Sequence, residues 1–295
     1  MKVNFIIITD ETVASFRFHN VIPAQELSFL GHQSFITEYP LDGCDVYVFS
    51  KHLNYGDHWY MKALKSEGKK TVFHCCDNHF NLPRGDHYRR MIKTADIVTA
   101  STQAMADIIQ SETGVFAKVI PDVYEQGERS AYFKPDGKLK VLWFGHPSNL
   151  DGLAESMPLE DIDLVLCTST SEVPLPLVGQ KVVLWTPKNL HMALDWCDVV
   201  IIPSIVSDDR KVVKSHNRLT DSVMSGKFVI ATPLPSYEEF KDIYLGDIKE
   251  GLDWLKCKDT TDIENRIAKS QDYIRTKYSP DVIGKRWAEV LSGKA

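Results

Sequence analysis

Short, almost uninterrupted apolar runs, each followed by a longer amphipathic stretch, recur along the whole chain. Residues 3–8, 46–49, 71–73, 96–100 and 115–120 are such runs in the first half. A strand buried on both faces reads this way, whereas a strand with one wet face alternates. Residues 23–30, 88–93 and 102–111 read as the helices between them, with Gly31 and Gly114 placed to end two of them. Residues 124–137 break the pattern: they are polar, carry Gly127, Pro135 and Gly137, and show no periodicity, which reads as a linker. The same grammar then restarts. Strands are expected at 140–144, 163–167, 181–185, 199–202 and 228–231, and helices at 190–196, 215–225, 261–277 and 281–291. The two halves echo one another, since Ala95-Asp96-Ile97-Val98-Thr99-Ala100-Ser101 parallels Cys197-Asp198-Val199-Val200-Ile201-Ile202-Pro203-Ser204. Strand–helix alternation of this kind implies parallel sheets with helices on both faces. The expected fold is α/β, with two Rossmann-like domains whose parallel sheets face a cleft. Domain boundaries are expected at 1–130 and 138–278, with a helix in 279–295 that crosses back to the first domain.

A chain of 295 residues is long enough for two such domains. Its 34 Lys and Arg against 40 Asp and Glu give a formal charge of −6, which argues against nucleic acid as a general partner. No apolar run approaches the roughly 20 residues of a membrane span. The six cysteines include the adjacent pair Cys75 and Cys76 but no C-x-x-C, so they read as reduced thiols of a cytoplasmic protein. No Cys/His set has zinc-ligand spacing, and no metal or other cofactor is expected.

One block is more specific. Residues 198–204 read DVVIIPS, and residues 214–240 read KSHNRLTDSVMSGKFVIATPLPSYEEF. This region resembles the donor-binding half of GT-B glycosyltransferases, close to glycosyltransferase family 4. That family shows a strand ending in Pro-Ser, a polar loop, a helix with an acidic residue, and then Gly-Lys-Pro-Val-Ile-Ala. Pro203-Ser204, Asp221 and Gly226-Lys227-Phe228-Val229-Ile230-Ala231 take those places. Ala14-Ser15-Phe16-Arg17 with Gly31-His32, and Val119-Ile120-Pro121, resemble parts of the acceptor half. Trp143-Phe144-Gly145 resembles the start of the donor half. The family pattern also has a glutamate ahead of the acidic helix; counting back eight positions from Asp221 gives Val213.

The resemblance implies transfer of a sugar from a nucleotide-diphosphate sugar to a hydroxyl acceptor, with retention of configuration and without a metal. A hexosyltransferase acting on a glycan, a lipid-linked glycan or another hydroxyl compound fits. The leaving diphosphate needs cations or helix-terminal amides. Lys214 and Arg218, with Lys211 nearby, read as one basic cluster at a helix start. Asn217 joins them in that turn. Asp221 stands where a carboxylate would take the ribose hydroxyls. Gly145, His146 and Ser204, at strand ends, complete the expected donor site. In the other half, His79 and Asp77 at the carboxyl end of a strand are the expected catalytic pair, with Asp77 as a base. Arg17, His19 and His74 are expected on the acceptor side. Three further functions are compatible with this reading: a nucleotide-sugar epimerase of the same fold, a non-catalytic nucleotide-sugar-binding protein, and a transferase that glycosylates modified DNA bases.

Overall fold

The computed structural model describes residues 1–9, 13–51 and 56–293. Residues 294 and 295, at the end of the expected C-terminal segment, lie outside the described residues. The chain divides into two compact units. The first takes Met1–Val123, Val212–Ser215 and Lys277–Ala295, and the second takes Tyr124–Lys211 and His216–Thr276.

Unit 1 is built on a parallel sheet of β1 (Lys2–Ile6), β2 (Gln33–Thr37), β3 (Val46–Ser50), β4 (Lys70–Cys75), β5 (Ile97–Ala100) and β6 (Lys118–Val119), in the order β2-β1-β3-β4-β5-β6. Val3 of β1 lies against Val46 of β3, and Val48 against Val72 of β4. The central strands are buried on both faces, as their apolar runs require. The edge strand β2 reads Gln33-Ser34-Phe35-Ile36-Thr37, is only partly buried, and has no apolar run to announce it. The buried Asn4 ties this edge to β1. Its Nδ2 donates to Thr37 Oγ1 at 2.7 Å, and its Oδ1 accepts from the Leu41 amide at 2.8 Å.

The helix Pro280–Ser292 completes unit 1 by packing on the helix Ile22–Phe29. The approach is close enough that a Cβ on Gly284 would come within 2.4 Å of the Glu26 Cβ. Trp287 is buried against Phe5, with ring centroids 5.9 Å apart, and against His74 at 5.4 Å. Burial of such a side chain contributes about 1.5–3 kcal/mol.

Unit 2 repeats the plan with β7 (Leu139–Phe144), β8 (Ile162–Thr168), β9 (Lys181–Leu184), β10 (Val199–Ile202), β11 (Phe228–Ala231) and β12 (Tyr244–Leu245). They form a parallel sheet in the order β12-β11-β10-β7-β8-β9. The echo between the halves has a structural cause. Asp96 Oδ2 accepts from the amide of Thr71 in β4 at 2.9 Å, and Asp198 Oδ2 accepts from the amide of Lys140 in β7 at 2.9 Å. In each sheet, the aspartate before a strand anchors the start of the strand beside it.

The stretch expected as a linker is fastened to unit 2. Asp221 Oδ1 accepts from the amides of Glu125 at 2.7 Å and Gln126 at 3.2 Å. The Arg129 amide bonds to the Met224 carbonyl, and Phe133 is buried in the unit 2 core. Its lack of periodicity reflects a chain fixed by side-chain and loop hydrogen bonds rather than by a ladder of its own. All six cysteines are free, and five of them are buried.

Candidate functional site

In open parallel sheets, ligands lie beyond the carboxyl ends of the strands, where the strand order reverses. That point falls between β1 and β3 in unit 1, and between β7 and β10 in unit 2. Chemistry-bearing residues cluster beyond these strand ends and their neighbours.

In unit 1, Lys51 follows β3 directly and adopts φ 58°, a left-handed conformation costly for a residue with a side chain. Its Nζ lies 2.8 Å from Asp77 Oδ2, just past the end of β4. Lys214 Nζ bonds to the other carboxylate oxygen of Asp77. Burial alone would raise the Asp77 carboxyl, but the two lysines outweigh it and hold Asp77 well below the usual carboxylate range. Burial likewise works against the Lys51 charge, yet Cys76 and Asp77 beside it raise the ammonium above its ordinary value. His79 Nε2 stands 4.0 Å from Asp77, with its ring edge-on to Tyr88. Burial lowers the His79 imidazole; Asp77 opposes this, but Lys51 and Lys214 add to the lowering, and the net shift is downward, so the ring is neutral near pH 7.

Deeper in unit 1, His19 lies in a turn of π-helix, Arg17–Val21, that Arg17 opens. Such turns are rare and frequent at functional sites. His19 Nε2 bonds to Asp122 Oδ1 at 2.9 Å. Burial opposes its charge, but Cys76 and Asp122 prevail and raise the imidazole to about 10. The His74 ring sits 4.5 Å from that of His19 and bonds to Thr99 Oγ1 at 2.9 Å. Burial, together with the His19 charge, keeps His74 neutral. His74 and His19 were both expected on the acceptor side. At 1% and 4% exposure they are interior groups: His74 lies on the buried strand β4 against Trp287, and His19 lies against His74 and Asp122.

In unit 2, Gly145 follows β7. A Cβ there would stand 3.3 Å from Arg218 Nη1 and 3.5 Å from the Trp143 ring, so glycine keeps space open beside the guanidinium. Arg218 Nη1 donates to the Phe144 carbonyl at 3.3 Å, and its guanidinium also pairs with the Tyr237 hydroxyl. Asn217 opens the helix Asn217–Met224, and its Oδ1 accepts from the Arg218 amide. His146 caps the short turn Pro147–Asn149 by accepting from the Ser148 amide at 3.2 Å. Ser204 follows β10 and is held by its amide, which donates to Thr232 Oγ1 at 3.2 Å.

The three basic residues expected as one cluster each have a hydrogen-bond partner: Lys211 bonds to Ser148 and Asn149 in unit 2, Lys214 to Asp77 in unit 1, and Arg218 to Phe144 in unit 2. One expectation needs correction. Asp221, expected on a ribose, is 4% exposed and binds the backbone of residues 125 and 126 instead.

Sequence reasoning missed Lys51, Tyr237 and Asp122. Lys51 was open to the same strand-end rule that singled out His79. Among the described residues, no group of three or more His, Cys, Asp or Glu is placed to hold a metal ion, and no helix is long and apolar enough to cross a membrane.

No family model matches the sequence, and no curated protein matches it. Solved structures do. HepE of Anabaena, solved in complex with UDP, is 14% identical and aligns over 99% of this chain and 100% of its own, with a TM-score of 0.65. The lipopolysaccharide outer core galactosyltransferase WaaB is 12% identical over 100% of both chains, with a TM-score of 0.62. The chain has the GT-B fold. TarM is 12% identical with a TM-score of 0.61; 83% of this chain aligns to it, but spans only 54% of TarM. In GT-B terms, unit 2 carries the half that resembles a donor domain in sequence. Arg218 and Gly145 lie at its switch point.

Proposed function

We propose that the protein is a glycosyltransferase that moves a sugar, of hexose type, from a nucleotide-diphosphate sugar to a hydroxyl acceptor. The observation that carries this reading is the Arg218 guanidinium beside the bare Cα of Gly145 at the end of β7. A guanidinium binds phosphate oxygens through paired N–H donors, and a glycine lets a phosphate approach the backbone. Arg218 would hold the diphosphate in the ground state and stabilise its growing charge as the glycosidic bond breaks. Tyr237 and the Phe144 carbonyl fix its orientation. Gly145, Ser204, His146 and Asn217 would line the donor site. Structures of this fold solved with UDP, such as HepE, lend support.

On the acceptor side, His79 is the better catalytic group of the expected pair. It is partly exposed and neutral, able to accept a hydroxyl proton or donate to a sugar oxygen. Asp77 suits a different task. A carboxylate held by two ammonium groups is a poor proton acceptor, so Asp77 would position Lys51 and Lys214 rather than serve as the base. Charge neutralisation by side chains suits a metal-independent reaction, and the family resemblance implies retention.

A second reading, a nucleotide-sugar-binding protein without turnover, is favoured by one observation. Both expected carboxylates, Asp77 and Asp221, are committed to internal partners. Calorimetry with UDP, GDP and ADP, followed by assays of donor consumption with and without acceptor in EDTA, separates the readings. Binding with acceptor-dependent turnover in EDTA supports the transferase. Binding without turnover supports the second reading, and absence of diphosphate binding rejects both.

A further inference from the structure

Two interior donors of unit 2 stand at the carboxyl ends of β7 and β8. The Trp143 indole Nε1–H and the Thr168 hydroxyl have no hydrogen-bond partner among the described residues, although both side chains are 0% exposed. An unpaired buried donor is costly, so two at one end of a sheet call for a reason. The ladder sets them side by side. Trp143 lies opposite Leu166 and Phe144 opposite Cys167, and the Gly145 amide continues the pairing by donating to the Cys167 carbonyl at 3.1 Å. Side chains alternate along a strand, so Trp143 and the Cα–Cβ direction of Gly145 share one face, as do Leu166 and Thr168 on the strand beside them. A Cβ on Gly145 would stand 3.5 Å from Trp143 Cζ2, 3.6 Å from its Cη2 and 3.3 Å from Arg218 Nη1. Cζ2 and Nε1 are both bonded to Cε2 and lie on the same edge of the indole. The edge that carries the N–H is therefore the one turned toward Gly145.

Gly145 and Arg218 are both partly exposed, which puts the point they flank within reach of a ligand. The chemistry around that point is one-sided. An indole N–H and a guanidinium can only donate, and a threonine hydroxyl can donate as well. The atom that satisfies them is an acceptor, and the guanidinium charge selects an anionic one. A phosphoryl oxygen accepts several hydrogen bonds at once and is a stronger acceptor than a neutral carbonyl. Arg218 Nη1 donates to the Phe144 carbonyl at 3.3 Å, a long bond that a phosphate oxygen would outcompete. We infer that Trp143 Nε1–H and Thr168 Oγ1–H bind the phosphate of the donor, donating together with Arg218 to one phosphoryl group of a nucleotide diphosphate. The inference rests on the transferase reading of the donor site. It adds two neutral donors, fixed by the core and reached only because residue 145 is glycine, to the one charged group already assigned. Held in place by packing, they need no reorganisation when charge grows on the leaving diphosphate.

Calorimetry on the full chain tests the assignment, with UDP, GDP and ADP and the matching nucleosides as probes. Trp143→Phe and Thr168→Val each remove one donor while keeping most of the packed shape. Each should weaken binding of the diphosphate that the unmodified protein prefers by about tenfold, and leave nucleoside affinity unchanged. A residue that served only the fold would behave differently. Thr168→Val should keep or raise the melting midpoint, because the hydroxyl it removes has no internal partner. A second readout needs no variant: in the unmodified protein, the Trp143 Nε1–H proton resonance should move downfield on addition of the diphosphate and stay in place on addition of the nucleoside. Unchanged diphosphate affinity in both variants, or an indole proton that does not respond to diphosphate, overturns the assignment. An unmodified protein that binds none of the three diphosphates would instead count against the transferase reading itself.

Discussion

Lys214 Nζ bonds to the carboxylate of Asp77, a residue 137 positions earlier in the chain, and Lys51 takes the other oxygen of the same group. Asp77→Asn should therefore leave two ammonium groups adjacent without their shared counter-ion. A loss of about 1.5–3 kcal/mol is expected, the range for hydrogen bonds to charged groups. Urea unfolding of the variant checks the loss. Adding Lys214→Met to it should restore part of the stability, because one of the two like charges is then removed. A double variant no more stable than Asp77→Asn would contradict the shared role.

Arg218→Ala should weaken nucleotide-diphosphate binding by about 1.5–3 kcal/mol, roughly 10- to 150-fold, while affinity for the bare nucleoside changes little. Gly145→Ala should act in the same direction, since its methyl group would sit 3.3 Å from Nη1. Calorimetry with diphosphate and nucleoside side by side is the measurement. Equal losses for both ligands would place Arg218 at the base rather than at the phosphates.

The His19 charge gives stability a definite pH dependence. Its folded value is raised to about 10 from 6.5, so its contribution is complete below 6.5 and is lost as pH climbs through 10. Asp122, Cys76 and the neutral His74 are the groups that face it. His19→Gln should cost most near pH 6 and much less near pH 10. Denaturation midpoints at the two pH values test this. A gap that widens with pH contradicts the assignment.

Trp287→Ala should destabilise unit 1 by about 3–5 kcal/mol, the usual cost of truncating a buried large aromatic. It removes the ring that covers Phe5 and His74. Chemical unfolding monitored in unit 1 reports the loss. A change below about 1 kcal/mol would mean that the helix contributes little to this core.

The central strands were legible because burial on both faces leaves a continuous apolar run, as in Val199–Ile202. The edge strand β2 was not, since half its surface faces outward and its residues are accordingly mixed. Gly145 and Arg218 were legible as a strand end and a helix start, each a local signal. The partners of Lys214 and Asp221 were not. Nothing near Lys214 in sequence specifies Asp77, and the burial of Asp221 depends on a loop from residue 124 onward that carries no pattern.

Unit 1 is assembled from three separate stretches, and this shapes how the protein can be made. Residues 1–123 leave the ribosome long before Trp287, yet Trp287 covers Phe5 and His74 within the same core. The first sheet must then persist without its closing helix while the whole of unit 2 is translated. A nascent chain arrested after residue 276 should expose that apolar patch to chaperones, and release of the remaining residues should bury it.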